Sequence, residues 1–266
     1  MTDTVSISLI QMKIDASVEC NLAHAEELIA KSKGNIAVLP EMFCCEYNNR
    51  SFVANAQPAG GQLYSFLSRS AQKYKKLLIG GSIPEYDAGR IYNTCFVFGK
   101  NGEQLASHRK KHLFDVDICG GQRFCESDTF SPGETASVFQ TEYGPLGIAI
   151  CFDLRFPDQF TEMAEQGARA VFVPAAFNMT TGPMHWDLLS RSRAVDNQLF
   201  IFCTAPARDA NAGYVSYAHS IAVDPWGRII SRAGIDEEQT ELTVDFSLVS
   251  SVREQIPLFK SGLRIR

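Results

Sequence analysis

The sequence predicts an α/β protein, a four-layer α-β-β-α sandwich made of two similar halves, an internal pseudo-twofold repeat. Three observations carry this expectation. Short apolar runs of strand length alternate with longer segments of helical spacing. The order β-α-β-α-β-β-β occurs twice, on either side of a long polar stretch. Finally, Ala37-Val38-Leu39-Pro40-Glu41-Met42-Phe43 has a counterpart at the same place in the second half, Val171-Phe172-Val173-Pro174-Ala175-Ala176-Phe177. A sheet covered by helices on one face must bury the other, and a twin sheet provides the cover.

In the first half, Val5 to Met12 reads as a strand. Val18 to Ser32 sets Leu22, Ala25, Leu28 and Ile29 on one helical face, and Lys31, Lys33 and Gly34 mark its end. Ile36 to Leu39 is a short buried strand. Gln62 to Tyr74 is a second helix with Leu63, Phe66, Leu67, Ala71 and Tyr74 on one face. Leu77 to Ile83 reads as a strand. Ile91 to Phe98 and Glu103 to His108 form a hairpin across Lys100-Asn101-Gly102, because Asn-Gly suits the tight hairpin turn. From about Lys110 to Glu134 the chain is loop-rich. That length marks a candidate functional loop.

The second half repeats the order. Leu146 to Ile150 is a strand, Asp158 to Glu165 a helix, Arg169 to Val173 a strand, His185 to Val195 a helix and Leu199 to Thr204 a strand. Tyr217 to Val223 and Arg228 to Ser231 form a hairpin across Asp224-Pro225-Trp226-Gly227. Thr240 to Phe246 adds a strand and Leu248 to Ile256 a last helix. The tail from Pro257 to Arg266 is basic and of undetermined order. The whole chain, 1–266, is expected to be one domain.

Composition narrows the function classes. The 266 residues are 45% hydrophobic and 21% charged, ordinary for a protein with a real core. Net charge is −5 with no long basic run, which argues against nucleic acid and anionic membrane surfaces as partners. No apolar stretch approaches a membrane span, and no basic segment precedes Val5 as in a secretory signal. The eight cysteines are scattered without any Cys-x-x-Cys, which reads as reduced, cytoplasmic usage. The histidines are scattered too, so neither a metal nor a cofactor is expected.

Three polar residues fall where strands end. Cys151 closes the apolar run from Leu146 to Ile150 and precedes a helix that Pro157 can start. Open α/β sheets place their chemistry at such carboxyl ends. Alone, Cys151 reads as a small core hydrophobe. Glu41 follows the second strand of the first half inside an apolar segment, and Lys110 follows its last strand. Singly, Glu41 suits a helix N-terminus, and Lys110 with Lys111 a solvated basic patch. Together they offer a thiol nucleophile, a carboxylate base and a cation for a developing oxyanion.

Pro40-Glu41, Arg109-Lys110 and Cys151-Phe152-Asp153-Leu154-Arg155-Phe156-Pro157 resemble the Glu-Lys-Cys signature of the nitrilase, or carbon–nitrogen hydrolase, superfamily. Further segments resemble its ω-amidase branch: Ile79 to Glu85, Tyr92 to Cys95, His112 to Asp117, Ala176 to Pro183 and Arg191 to Gln198. The resemblance spans nearly the whole chain and implies the nitrilase-type sandwich, usually as a homodimer. It assigns the catalytic roles to Glu41, Lys110 and Cys151, choosing Lys110 over Lys111, and a second acid/base role to Glu126. Adjacent residues on a strand face opposite sides, so only one of the two lysines reaches a given site.

The resemblance implies attack of Cys151 on an amide carbon to give a thioester. Glu41 moves the proton, and Lys110 and the Phe152 N–H hold the oxyanion. The implied substrates are α-ketoglutaramate and α-ketosuccinamate, small α-keto acid amides. Their distant carboxylate needs a cation, for which Arg155, Arg191 and Arg193 are candidates, Arg155 first. Tyr47 is a candidate hydrogen-bond donor. Thr180 and Thr181 either line the pocket or cap the following helix. The rival readings are a deaminated glutathione amidase and a catalytically idle ligand-binding relative. The expected compartment is the cytoplasm, with mitochondrial presence also compatible.

Overall fold

The computed structural model describes residues 3–260 and 263–264. The chain begins with β1 (Thr4–Gln11), α1 (Val18–Lys31), β2 (Ile36–Val38), α2 (Asn49–Asn55), α3 (Gln62–Tyr74) and β3 (Leu77–Ile79). Then come β4 (Ile83–Asp87), β5 (Arg90–Phe98), β6 (Gln104–Arg109) and a small hairpin, β7 (Asp115–Asp117) and β8 (Arg123–Cys125). The second half holds β9 (Ser137–Thr141), β10 (Gly144–Ile148), α4 (Pro157–Glu165), β11 (Ala170–Pro174), α5 (Gly182–Asn197), β12 (Phe200–Thr204), β13 (Ile221–Val223) and β14 (Ile229–Arg232). β15 (Glu238–Asp245) and α6 (Ser247–Gln255) follow.

Two large sheets result. The first runs β15-β1-β2-β3-β5-β4, with β6 also pairing with β5. The second runs β14-β13-β12-β11-β10-β9. In each, three central strands are parallel, β1-β2-β3 and β10-β11-β12, and the flanking strands are antiparallel. The repeat read from element order is thus a repeat of topology, with one exchange: β9 precedes its half, while the matching edge, β15, returns from near the C-terminus.

The period-2 alternation of the strands makes the layers. Ile36, Val38, Ile79, Cys95 and Val97 join one core with Ile148, Val173 and Ile201 of the second sheet. That core continues to Phe160 and Met163 of α4 and Trp186 of α5. The alternate residues Ala37, Leu78, Phe96 and Phe98 turn instead to Leu22 and Ile29 of α1 and Leu63 and Leu67 of α3. Hence the order is helices, sheet, sheet, helices.

Several elements differ from expectation. The stretch 77–83 is two strands, because the chain turns at Gly80-Gly81 between β3 and β4. Gly81 has φ +61°, and a Cβ on it would lie 2.2 Å from the Pro40 carbonyl oxygen. β13 is shorter than expected, since Ala218 and His219 take positive φ and break the extended run. The loop-rich stretch holds β7, β8 and a 3-10 turn, Glu126–Asp128. In the tail, the two-residue strands Phe259–Lys260 and Leu263–Arg264 pair with each other, and positions 261–262 and 265–266 lie outside the described residues.

Candidate active site

Four segments deliver the polar cluster. Glu41 follows β2 and is braced on both sides: Gly81 packs beneath Pro40, and the Met42 N–H donates to Ser82 Oγ at 3.0 Å. Lys110 follows β6. Its N–H donates to the Asn93 carbonyl at 2.8 Å, and its own carbonyl accepts the Gly133 N–H at 2.9 Å. Glu126 opens the 3-10 turn after β8. Cys151 opens a second 3-10 turn, Cys151–Arg155, with φ +45°. That left-handed conformation costs a non-glycine residue roughly 1 kcal/mol or more, which the surrounding packing must offset. It turns the thiol away from the strand path.

The four residues are buried, with Lys110 and Glu126 at 0%, Glu41 at 1% and Cys151 at 4% exposure. Lys110 Nζ lies 2.8 Å from Glu41 Oε1 and 2.8 Å from Glu126 Oε2. Glu41 Oε1 also accepts from Asn93 Nδ2 at 2.8 Å, and the Tyr47 hydroxyl oxygen lies 3.3 Å from it. Its other oxygen, Oε2, is buried and takes no hydrogen bond of ordinary geometry. Glu126 is held by the Phe114 N–H and the Tyr47 hydroxyl, both at 2.6 Å. Cys151 Sγ accepts the Ala176 N–H at 3.5 Å.

Two carboxylates and one ammonium leave this cluster one negative charge in excess. Burial raises the Glu41 pKa, the charge of Glu126 raises it further, and Lys110 and the nearby Cys151 thiol pull it down. The Cys151 pKa is pushed well up, by burial first and by Glu41 second. Lys110 is held fully charged, its two carboxylate neighbours overcoming the burial that opposes its ionisation. Sulfur therefore rests as a thiol, and its proton has to leave as it attacks. The unpartnered Glu41 Oε2 is the oxygen able to take it. A cavity of about 580 Å³ opens beside the cluster, lined by Glu41, Tyr47, Phe124, Ala176 and Tyr214 among others.

Comparison with known proteins gives this geometry a context. The family model described as carbon-nitrogen hydrolase matches residues 6–254. The chain belongs to the carbon–nitrogen hydrolase family. Among its relatives, omega-amidase NIT2 of Mus musculus is 44% identical over 260 residues, covering 97% of this chain and 94% of that protein. Omega-amidase NIT2 of Danio rerio is 43% identical over 257 residues, covering 96% and 93%. Among solved structures, Saccharomyces cerevisiae Nit3, a member of branch 10 of the nitrilase superfamily, superposes with a TM-score of 0.89 at 37% identity, covering 97% of this chain and 96% of that one.

In this carbon–nitrogen hydrolase the other sequence-derived candidates divide. Arg155 is half-buried, with its guanidinium over the rings of Phe152 and Phe177 at 5.3 and 5.2 Å. It donates to His185 Nδ1 at 3.0 Å, its buried Nε has no partner, and it has no carboxylate partner among the described residues. Thr181 stands at the N-terminus of α5 but does not cap it; its hydroxyl and N–H both go to Asn178 Oδ1. The His185 N–H bonds the Thr181 carbonyl, so Thr181, His185 and Arg155 are neighbours. Arg191 is not brought to the cluster: it lies on the exposed side of α5, and its Nε donates to the Gly227 carbonyl. Arg193 is structural, bonded to the Leu154 carbonyl and Asp196. Lys111 stays half-buried outside the cluster, leaving Lys110 as the lysine inside it.

Sequence reasoning did not single out Asn93, Ala176 or Tyr214 for a role. A polar Asn within the apolar run Ile91 to Phe98 was the available signal for Asn93. Tyr214 sits in a Gly- and Asn-containing loop, which carries no such signal. Its hydroxyl donates to the Ala176 carbonyl, and its ring lies 4.5 Å from that of Tyr47.

Proposed function

We propose that the protein is an ω-amidase, hydrolysing the terminal amide of α-ketoglutaramate and α-ketosuccinamate to the α-keto dicarboxylic acid and ammonia. The observation that carries the mechanism is the asymmetry of Glu41, one oxygen bound by Lys110 and Asn93 and the other left without a donor. Oε2 takes the Cys151 proton while sulfur attacks the amide carbon. Negative charge on the substrate oxygen meets Lys110 Nζ and the Phe152 N–H, because the first N–H groups of a helical turn have no partner within it. Glu41 then protonates the leaving nitrogen, the C–N bond breaks and ammonia departs, leaving a thioester. Water adds to the thioester carbon and gives its proton to Glu41 or Glu126. The C–S bond breaks, and the thiol regains its proton as the acid leaves.

Arg155 binds the substrate's far carboxylate in this reading, beside Thr181. A cation without an acidic partner, next to the nucleophile, suits that task. Arg155→Ala should raise KM for α-ketoglutaramate by tenfold or more, consistent with loss of ~1.5–3 kcal/mol from a charged hydrogen bond. A KM unchanged in that variant would remove Arg155 from the site. The cavity mouth favours the small substrate over deaminated glutathione. Asp15, Glu46 and Asp209 line it against the single cation Arg123, an arrangement that disfavours a second substrate carboxylate.

The relatives named omega-amidase support the substrate class. The whole chain acts as one hydrolase domain in this reading. The eight cysteines are free thiols, in keeping with the cytoplasm as its compartment. The partner we propose for assembly is a second copy, docking on α5. The test of function is ammonia release from α-ketoglutaramate and deaminated glutathione side by side, with Cys151→Ala as the blank. A higher kcat/KM for α-ketoglutaramate is expected. A higher value for deaminated glutathione would transfer the assignment to that substrate, and no turnover above the blank would favour an idle relative.

A further inference from the structure

Asp153 lies two residues beyond Cys151, is fully buried, and takes no part in the mechanism above. Its carboxylate accepts four hydrogen bonds. Oδ2 receives the Ile150 N–H at 2.9 Å and His108 Nε2 at 3.1 Å. Oδ1 receives the His112 N–H and His112 Nδ1, both at 2.9 Å. Burial opposes the charge, but the donors from His108, His112 and Ile150 prevail and hold the carboxyl well below the usual carboxylate range.

These partners fall into two groups. Ile150 belongs to the turn that carries Cys151, and the Asp153 N–H bonds back to the Ile150 carbonyl at 3.0 Å. The turn is thereby closed around the residue held at φ +45°, and strain of this kind survives only where the surroundings over-determine it. His108 and His112 stand two residues before and two after Lys110. The link is braced at both ends. His108 Nδ1 is 3.0 Å from Ser137 Oγ, and the His112 ring stacks on Phe156 at 3.6 Å, next to the nucleophile turn.

We propose that Asp153 is a positioning residue that ties the turn carrying Cys151 to the strand end carrying Lys110, and so sets the sulfur against the ammonium and Glu41. It touches neither substrate nor reacting atoms. Its chemistry is specific to a carboxylate, because every partner is a donor. Two partners are backbone N–H groups, one at each oxygen, and these cannot change tautomer as the histidines can. An asparagine amide would face one of them donor to donor whichever way it lay.

The inference rests on the thioester mechanism but not on the identity of the substrate, and the test separates the two. Asp153→Asn is compared with the parent for kcat and KM on α-ketoglutaramate. Alkylation of Cys151 by iodoacetamide is followed alongside, by mass spectrometry of its own peptide, and needs no substrate. Folded fraction is checked by circular dichroism. Expected is a loss in kcat of roughly 100-fold, the scale of an ångström misplacement, with KM within about threefold and a changed Cys151 alkylation rate. His112→Phe removes one donor and keeps the carboxylate, and covers the case in which Asp153→Asn does not fold. It should lower kcat about fivefold at unchanged KM. A folded Asp153→Asn with parental kcat and alkylation rate overturns the proposal. So does a kcat loss matched by the loss of folded protein, or, where Asp153→Asn does not fold, a His112→Phe variant with parental kcat. If the parent alkylates at Cys151 but does not turn over α-ketoglutaramate, the substrate assignment fails, and the alkylation comparison still decides the role of Asp153.

Discussion

Glu41 shows how a single side chain is divided into a structural and a reactive half. Oε1 is bound by Lys110 and Asn93, which fix the plane of the carboxylate. Oε2 is left for a proton. Burial and the charge of Glu126 raise its proton affinity, so the base is less ionised at mildly acidic pH than an exposed glutamate would be. Activity needs the deprotonated form and is lost as pH falls through the raised pKa. The acid limb of kcat/KM against pH should therefore have its midpoint above the ~4.3 of free glutamate. A profile flat down to that value would show that another group sets the limb. Tyr47 is read differently from the sequence and from the geometry. A lone tyrosine suggests a donor for substrate, yet its hydroxyl lies 2.6 Å from Glu126 and its one proton is already committed there. In the folded protein Tyr47 therefore holds Glu126, and Lys110 is the group that bridges the two carboxylates.

At the scale of elements, short turns do the positioning. In sequence, Leu77 to Ile83 reads as one strand because both of its ends are apolar. Backbone crowding decided otherwise: Gly81 must pass beneath the Pro40 carbonyl, and Ser82 must reach the Met42 N–H. Gly81→Ala would combine positive φ with a clash against backbone, neither of which a flexible side chain can relieve. It should cost about 2 kcal/mol of unfolding free energy and lower kcat by displacing Glu41, readable by urea denaturation and steady-state kinetics. Unchanged stability would mean that the turn yields at little cost. In sequence the β7–β8 hairpin reads only as a long loop, since Asp115–Asp117 and Arg123–Cys125 are too short to show alternation. It is nonetheless the element that ends at Glu126, and Phe124 on it packs against Tyr47 and Tyr214.

For the whole molecule, the outer face of α5 is the conspicuous surface. Met184, Leu188 and Val195 follow helical spacing and are 73%, 61% and 47% exposed, with Ile229 and Ile230 of β14 also exposed. The Arg232–Asp187 ion pair at 2.6 Å holds β14 beside α5, so these residues belong to one face. Apolar surface gathered in this way favours self-association. Leu188→Glu should convert a dimer to a monomer in sedimentation equilibrium without loss of folded structure. A parent that is already monomeric at micromolar concentration would remove the proposal.

Local pattern was enough to determine the alternation of strands and helices, the repeat, and the three strand ends that carry Glu41, Lys110 and Cys151, because periodicity and strand termini are properties of neighbouring residues. The resemblance to a family extended this to Glu126. Tertiary structure alone decided which oxygen of Glu41 is free and which residues brace the cluster. Arg155 stands first among the arginines by its nearness to Cys151 in sequence, and the fold sets it over aromatic rings while Arg191 turns to the Gly227 carbonyl. Asp153 joins residues more than forty positions apart. Contacts at that separation arise only when the two sheets close on each other, so the pattern along the chain does not encode them locally.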